Sequence, residues 1–315
     1  MSLIEVLAPG LLTTVQDLGR EGFGPLGVSA SGAADPVSLR IGNRLLNNPE
    51  GAAALEMTLL GGEFVFPQRT IIALAGADFA ATLDHRPIEP WQSLEVQAGE
   101  TLRFGPTRSG ARCYLCVQGG IAVKSFLGSA STHLLSGLGG FEGRPLRKGD
   151  VLKIAAGPGS FRTFRRRRVS RRALEKLAVR KTLRVTPGPQ ADWFSAEAQS
   201  AFYEGTFRVA EESNRMGIRL EGSKIPAPSG GAMRSEGVSL GAVQIPAGGL
   251  PIILFVEQQT TGGYPKIANV ISADFRSLGQ LRPRDEIRFE RVEPDTALAL
   301  LREQEGLLSA EYLFV

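Results

Sequence analysis

The stretch Glu257-Gln258-Gln259-Thr260-Thr261-Gly262-Gly263-Tyr264-Pro265, followed at once by Lys266 to Leu278, decides how the second half of the chain is read. It follows the apolar run Ile252 to Val256 and consists mostly of amides, hydroxyls and glycines that a buried strand does not choose. Pro265 suits the first turn of a helix, where its missing N–H costs nothing. Ile267, Val270, Ile271, Phe275 and Leu278 then recur at helical spacing. The expected order is strand, Gly-rich turn, amphipathic helix from Pro265. Free backbone N–H groups at such a helix start favour anions and carboxylates. A polar turn that binds nothing remains the alternative reading.

Outward from this point, short strands dominate. A turn, an acidic residue and alternating apolar positions recur at Gly99-Glu100-Thr101-Leu102-Arg103-Phe104 and at Gly149-Asp150-Val151-Leu152-Lys153-Ile154. They recur once more, without the glycine, at Arg284-Asp285-Glu286-Ile287-Arg288-Phe289. Each reads as a hairpin leading into a half-buried strand. Ile71 to Leu74 and Tyr114 to Val117 are continuously apolar and suit central strands. Helices are few. Asp35 caps one that starts at Pro36, buries Val37, Ile41 and Leu45, and stops at Asn47-Asn48-Pro49. Leu174 to Val179 and Asp295 to Glu303 read as shorter ones. The turns Ser31–Pro36 and Thr261–Pro265 each put small residues before a proline, which suggests a duplication. The expected organisation is a β-rich half over 1–160, an Arg-rich linker over 161–182 and a second β-rich half over 183–315. Two Gly-rich corners, one from each half, are expected to line a common small-molecule cleft.

The chain has 315 residues, 43% of them hydrophobic, with 38 glycines and 19 prolines, enough for a full core cut by many tight turns. No apolar run is long enough to cross a bilayer, and Met1 to Gly10 lacks the basic start and apolar stretch of a signal peptide. A cytoplasmic protein without a membrane partner is expected. Seven arginines between Arg162 and Arg172 dominate the net charge of +4. No aromatic stacking pattern or nucleic-acid motif accompanies them, so a solvated linker or a contact between protein chains is expected and no nucleic acid. Cys113 and Cys116 form C-x-x-C, yet residues three apart on a strand point to opposite faces, so neither a disulfide nor a shared metal is expected. His85 and His133 are too isolated for a metal cluster. Of the two, His133 is the more interesting, because it follows the Gly-Ser-x-Ser-Thr stretch.

The motif QTTGGYP-K-IA-x-VI-x-AD resembles the C-terminal signature of the family called allophanate hydrolase subunit 2, or biotin-dependent carboxyltransferase-like. Its members include the KipA-type proteins that serve as the C component of 5-oxoprolinase. Further matches, in order, are Thr13–Arg20, Gly27-Val28, Ser31–Pro36, Leu55–Thr58, Leu127–Thr132, Arg215-Met216-Gly217 and Ser235-Glu236-Gly237. They span residues 10 to 290. Ala34 stands where the family pattern has Met, and Glu257 where it has Asp. The resemblance implies a mainly β fold of two cyclophilin-like β-barrel halves with a few short helices. It also implies the C subunit of an ATP-dependent 5-oxoprolinase, which opens 5-oxo-L-proline to L-glutamate. Its implied partners are a B-like (KipI-type) protein and an A-like protein of the same enzyme, and its substrate a small lactam or amide. One alternative is the carboxyltransferase component of a biotin-dependent urea or amide carboxylase. Another is a non-enzymatic KipA-type antagonist of a kinase inhibitor.

The residues that match the family's motifs are carboxylates, arginines, amides and hydroxyls, without a nucleophile–His–Asp order, a metal-ligand cluster or a redox motif. Asp17, Arg20, Glu236 and Gln259 are the candidates for catalysis. Gln16, Asp35, Arg215, Ser235, Thr260, Thr261, Gly262, Gly263 and Tyr264 are the candidates for holding substrate or phosphate. In the leading assignment the turn at Gly262-Gly263 holds phosphate, Arg20 or Arg215 holds a carboxylate, and Asp17 or Glu236 carries a proton. Asp35 doubles as a helix cap, Asn43 as a loop anchor, and Asp17 with Arg20 as a local ion pair. Gln258, Ser131 and Thr132 match the motifs without an assigned role. Glu56, in the apolar run Ala52 to Leu60, needs a partner or a shifted pKa. No P-loop is present, so ATP would be shared with a partner protein. Ala232-Met233-Arg234 is similar to a biotin-attachment sequence with Arg in place of the acceptor lysine, so no covalent biotin is expected on this chain.

Overall fold

The computed structural model describes residues 2–157, 164–226, 228 and 233–315. The chain divides into two compact units. The first comprises Met1–Arg20, Ser31–Leu177 and Leu308–Val315, and the second Glu21–Ala30 and Ala178–Leu307.

Two sheets build the first unit. A five-stranded sheet runs in the order Leu12–Gln16, Ala54–Thr58, Ser109–Val117, Thr70–Asp78, Gln92–Val96. The two expected central strands, containing Tyr114 to Val117 and Ile71 to Leu74, sit inside it. A seven-stranded sheet holds Leu3–Ala8 between Val151–Ile154 and Glu63–Val65, and continues through Thr101–Arg103. Ile4, Val6, Leu55, Phe64, Phe66, Leu74, Leu102, Leu115 and Leu152 meet in one core. Each such side chain contributes roughly 1.5–3 kcal/mol when fully buried.

The helix Pro36–Leu45 packs on the strands Thr70–Asp78 and Ser109–Val117. Asp35 caps it as expected, its carboxylate accepting from Ser38 N at 2.9 Å. Gly42 allows the close approach, since a Cβ there would lie 2.6 Å from Cys116 Sγ. Cys116 therefore faces the helix while Cys113 lies in the core. Both are free and buried, on opposite faces of one strand. Burial pushes both thiols well up from their ordinary range.

The second unit is a closed barrel of seven strands. Their order is Thr182–Pro187, Lys266–Val270, Ala242–Gln244, Ile252–Leu254, Gly217–Glu221, Phe207–Val209, Glu286–Arg291. Phe202, on the helix Ala196–Glu204, stacks on Phe289 with centroids 4.4 Å apart. A separate two-stranded ribbon pairs Glu236–Gly237 with Thr261–Gly262.

Pro265 does not open a helix. Lys266–Val270 is a barrel strand between Thr182–Pro187 and Ala242–Gln244, and α-helix begins only at Phe275, after a 3-10 turn over Ser272–Asp274. A central strand is flanked on both edges, so its apolar residues fall at any spacing, and here that spacing mimics a helix. The helix-start site for anions is therefore absent at this turn, and the parallel with Ser31–Pro36 ends at the turn itself. The other helices form near their expected places, as Arg171–Lys176 and Pro294–Ser309.

The three recurring turns fold identically. Gly99, Gly149 and Arg284 have φ of 87°, 90° and 70°. In each, the following acid accepts from the backbone N–H three residues before it, on Gln97, Arg147 and Arg282. The third copy lost the glycine but kept its left-handed conformation.

The arginine segment is no free linker. Arg166 donates to Gln92 Oε1, and Arg167 donates to Asn47 Oδ1 and lies 4.2 Å from the Phe314 ring centroid. Arg168 pairs with Glu89. Arg162 of this cluster lies outside the described residues.

Candidate functional site

The sequence-selected residues of the first unit converge on one loop. Asp17 receives Gly19 N at 2.8 Å, Ser129 Oγ at 2.6 Å, Ala130 N at 2.6 Å and Ser131 Oγ at 2.5 Å. Arg20 donates to the carbonyl oxygens of Ser131 and Phe126 and lies 5.7 Å from the Phe126 ring centroid. Gln16 donates to Thr132 O, Ser31 Oγ donates to the same oxygen, and Thr132 Oγ1 donates to Val15 O. Gln16, Asp17, Arg20, Ser131 and Thr132 thus fasten residues 126–132 to the strand Leu12–Gln16. Ser129, a central member of this network, escaped the sequence reading because only its place in a Gly-Ser-x-Ser run marked it.

A second buried group surrounds the helix cap. Tyr114 Oη donates to Glu56 Oε2 at 2.7 Å and accepts from Asp35 N at 2.8 Å, while Ala34 N donates to Glu56 Oε2 at 2.8 Å. Glu56 therefore anchors the Ala34-Asp35 corner. Burial, with the neighbouring Glu56 and Asp35 carboxylates, holds the Tyr114 phenol well above its ordinary range. Asn43 donates to Glu50 O and Ala52 O, a loop anchor. His133 is buried, and its Nδ1 accepts from Ser136 N at 3.1 Å.

In the second unit Arg215 and Glu257 form a buried pair, Nε to Oε1 at 2.5 Å, with side chains 5% and 2% exposed. Ser235 and Tyr264 lie exposed. Gln259 Nε2 and Gln244 Nε2 both donate to Gly263 O. The Gly262-Gly263 turn thus closes a two-stranded ribbon, with the Gly263 carbonyl oxygen taken up by two amides. Gln258 Nε2 donates to Val238 O.

A cleft of about 560 Å³ opens beneath this ribbon, and all of its lining residues belong to the second unit. Gly237, Val238, Ser239, Thr260 and Thr261 contribute from the ribbon and its flanks. Thr186, Pro187, Lys266 and Asn269 contribute from two neighbouring barrel strands, with Pro189, Gly24 and Pro25 beside them. A β-bulge explains why Lys266 and Asn269, three apart on one strand, both reach it. Asn269 pairs with Ala242, Ala268 with Val243 and Lys266 with Gln244, so Ile267 is the extra residue. That insertion restores Lys266 to the face of Asn269 and of its cross-strand partner Thr186.

The Lys266 side chain is 3% exposed. Its ammonium donates to Glu236 Oε1, which also accepts from Gln190 Nε2 at 2.9 Å. The Lys266 bond, then the Gln190 bond, hold the Glu236 carboxyl below its ordinary range. Among the described residues Glu236 is the one acceptor within reach of Nζ. A lysine ammonium has three donors, and Lys266, which lines the cleft, commits one of them to Glu236. Buried donors left unmade are costly, and a ligand oxygen placed here would satisfy them. Ser239 Oγ donates to Asn269 Oδ1 at 3.2 Å, which turns the amide N–H groups of Asn269 away from Ser239. Of these groups the sequence reading selected Glu236, Thr260 and Thr261. It passed over Lys266, Asn269, Ser239, Thr186 and Gln190 because Lys266 and Asn269 were placed on a helix. The one available signal was a lysine and an asparagine set in an otherwise apolar run.

Among the described residues no group of three or more His, Cys, Asp or Glu side chains is placed to hold a metal ion. None of the helices among these residues is long and apolar enough to cross a membrane. Ala232 of the biotin-like tripeptide lies outside them.

Residues 26–291 match the family model described as "Carboxyltransferase domain, subdomain A and B". The chain is 36% identical to the 5-oxoprolinase C subunit of Haemophilus influenzae and 37% identical to that of Escherichia coli, over 96% of both proteins in each case. The urea amidolyase structure of K. lactis superposes with a TM-score of 0.90 at 33% identity. That match covers 98% of this chain and a fifth of the larger protein (20%). The chain belongs to the carboxyltransferase-domain family of subdomains A and B.

Proposed function

We propose that this chain is the C subunit of an ATP-dependent 5-oxoprolinase, active together with A-like and B-like proteins in opening 5-oxo-L-proline to L-glutamate. The observation that carries this reading is the end-to-end match to the C subunits of two 5-oxoprolinases, 36–37% identical across 96% of both proteins. The cleft is chemically suited to the task. A 5-oxoproline carboxylate held in place presents the lactam to the rest of the complex. Lys266 offers ammonium donors to the carboxylate of such a substrate from a buried position. Glu236 holds the ammonium in place.

Arg20 and Arg215 are engaged by the 126–132 loop and by Glu257, so we assign carboxylate recognition to Lys266 in their stead. Asp17, receiving four hydrogen bonds, is assigned to shaping that loop, and proton handling passes to the complex. Activation of the lactam oxygen by ATP is likewise assigned to the complex, and no residue of this chain to the nucleotide. A coupled glutamate-release assay with the three purified proteins tests the reading. Turnover must require this chain, and turnover that persists without it refutes the assignment.

The superposition on urea amidolyase favours a second reading, a carboxyltransferase component acting on urea or a related amide. It requires a biotin carboxylase and a biotinylated carrier on other chains. Carboxylation of an amide in their presence, with no glutamate released from 5-oxoproline, would select it. A tight complex with the B-like protein and no turnover on either substrate would select the kinase-inhibitor antagonist.

A further inference from the structure

We propose that the barrel-side cleft of the second unit is a carboxylate subsite, in which Lys266 and Asn269 hold the two oxygens of a small monoanion and Ser239 orients Asn269. The inference deepens the 5-oxoprolinase reading and rests on it for the identity of the natural ligand. The bulge at Ile267 places the Lys266 ammonium and the Asn269 amide on one face of one strand, both lining the cleft. Lys266 has donors to spare after Glu236, and it is the only charged side chain among the lining residues.

Ser239 occupies the Asn269 carbonyl oxygen, leaving that side chain its N–H donors. A planar carboxylate presents two acceptor oxygens in a plane, and two fixed donors on one wall match that geometry. Thr186, Thr260 and Thr261 add hydroxyls, while Pro25, Pro187 and Pro189 add rigid apolar surface suited to a small saturated ring. Among the described residues none of the lining side chains is a carboxylate, and the ligand shares the Lys266 ammonium with Glu236.

The full chain is titrated calorimetrically with three probes. These are 5-oxoproline, 2-pyrrolidinone (the same lactam without the carboxylate) and cyclopentanecarboxylate (the carboxylate without the lactam). The subsite predicts that 2-pyrrolidinone binds at least ~10-fold more weakly than 5-oxoproline. It predicts that K266M and N269L each weaken the carboxylates by ~10-fold or more, since each removes a charge-assisted or buried hydrogen bond. Ser239 is exposed, so S239A leaves the fold intact, and it should weaken carboxylates ~3-fold or more without touching 2-pyrrolidinone.

Cyclopentanecarboxylate binding that depends on Lys266 and Asn269, with no binding of 5-oxoproline, would keep the subsite and remove the lactam assignment. Equal affinity for 5-oxoproline and 2-pyrrolidinone overturns the proposal. So does a failure of both carboxylates to bind, or carboxylate binding indifferent to S239A and to folded K266M.

Discussion

Replacing Glu257 by Gln isolates the energetics of the buried ion pair in the second unit. The side chains of Arg215 and Glu257 are 5% and 2% exposed and meet at 2.5 Å. Glutamine keeps the shape but removes the Glu257 charge from beside the guanidinium. Removing one partner from such a pair costs about 3–5 kcal/mol. The backbone bond from Glu257 N to Arg215 O survives the change, which keeps the loss within that range. For a unit of this size 1 kcal/mol shifts the midpoint by roughly 2–4 °C, so a fall of roughly 6–20 °C is expected. R215M should cost a similar amount. R215M/E257L, which removes both charges, should lose far less than the sum, because desolvation of the pair disappears with it.

The two tryptophans, Trp91 and Trp193, fall one in each unit. Urea unfolding followed by Trp193 fluorescence in a W91F background therefore reports on the unit that holds the pair. A loss below about 1 kcal/mol for E257Q, or a double variant that loses the full sum, would refute the reasoning.

The Arg144 bond to Asp150 holds that carboxyl below its ordinary range. A lowered native pKa gives stability that is present above the ordinary aspartate range near pH 4 and is lost as pH falls through the native value. D150N should flatten this acid limb, measured as midpoint against pH from about 2 to 6. Tyr114 has the opposite sign. Its raised native pKa gives stability that is complete below about pH 10 and lost above it, so Y114F should weaken the alkaline slope. At neutral pH the same variant should cost roughly 1–3 kcal/mol by orphaning Asp35 N and one donor to Glu56. In G139A the new Cβ would lie 2.2 Å from Ser131 O, at a backbone φ of +64° that already disfavours alanine. The variant should lose the 126–132 loop geometry and its protection from hydrogen exchange while the barrel unit keeps its own midpoint.

The elements legible in the sequence are those whose signal is local. Asp35-Pro36 announces a helix because capping needs only neighbouring residues. The turns at Gly99, Gly149 and Arg284 could be aligned because the acid three residues after the turn donor does the same work each time. The divergence of Cys113 and Cys116 followed from strand geometry alone. Lys266–Val270 was not legible, because a strand flanked on both edges carries no alternation and Pro265 mimics a helix start. The error removed Lys266 and Asn269 from consideration, since their shared face depends on a bulge that only pairing with Ala242–Gln244 creates. Asp17 and Arg20 were found by motif, yet the Ser129–Ser131 loop they hold lies more than a hundred residues away in sequence. Local patterns do not encode such contacts.

The central claim is that Lys266 supplies the carboxylate-binding donors of a lactam-opening complex. Steady-state glutamate release by the assembled three-protein system, comparing wild type with K266M at equal folded concentration, measures it directly. The account predicts that K266M lowers kcat/KM for 5-oxoproline by ~10-fold or more, the scale on which loss of one charge-assisted hydrogen bond acts. A folded K266M complex that turns over within about 3-fold of wild type would contradict it.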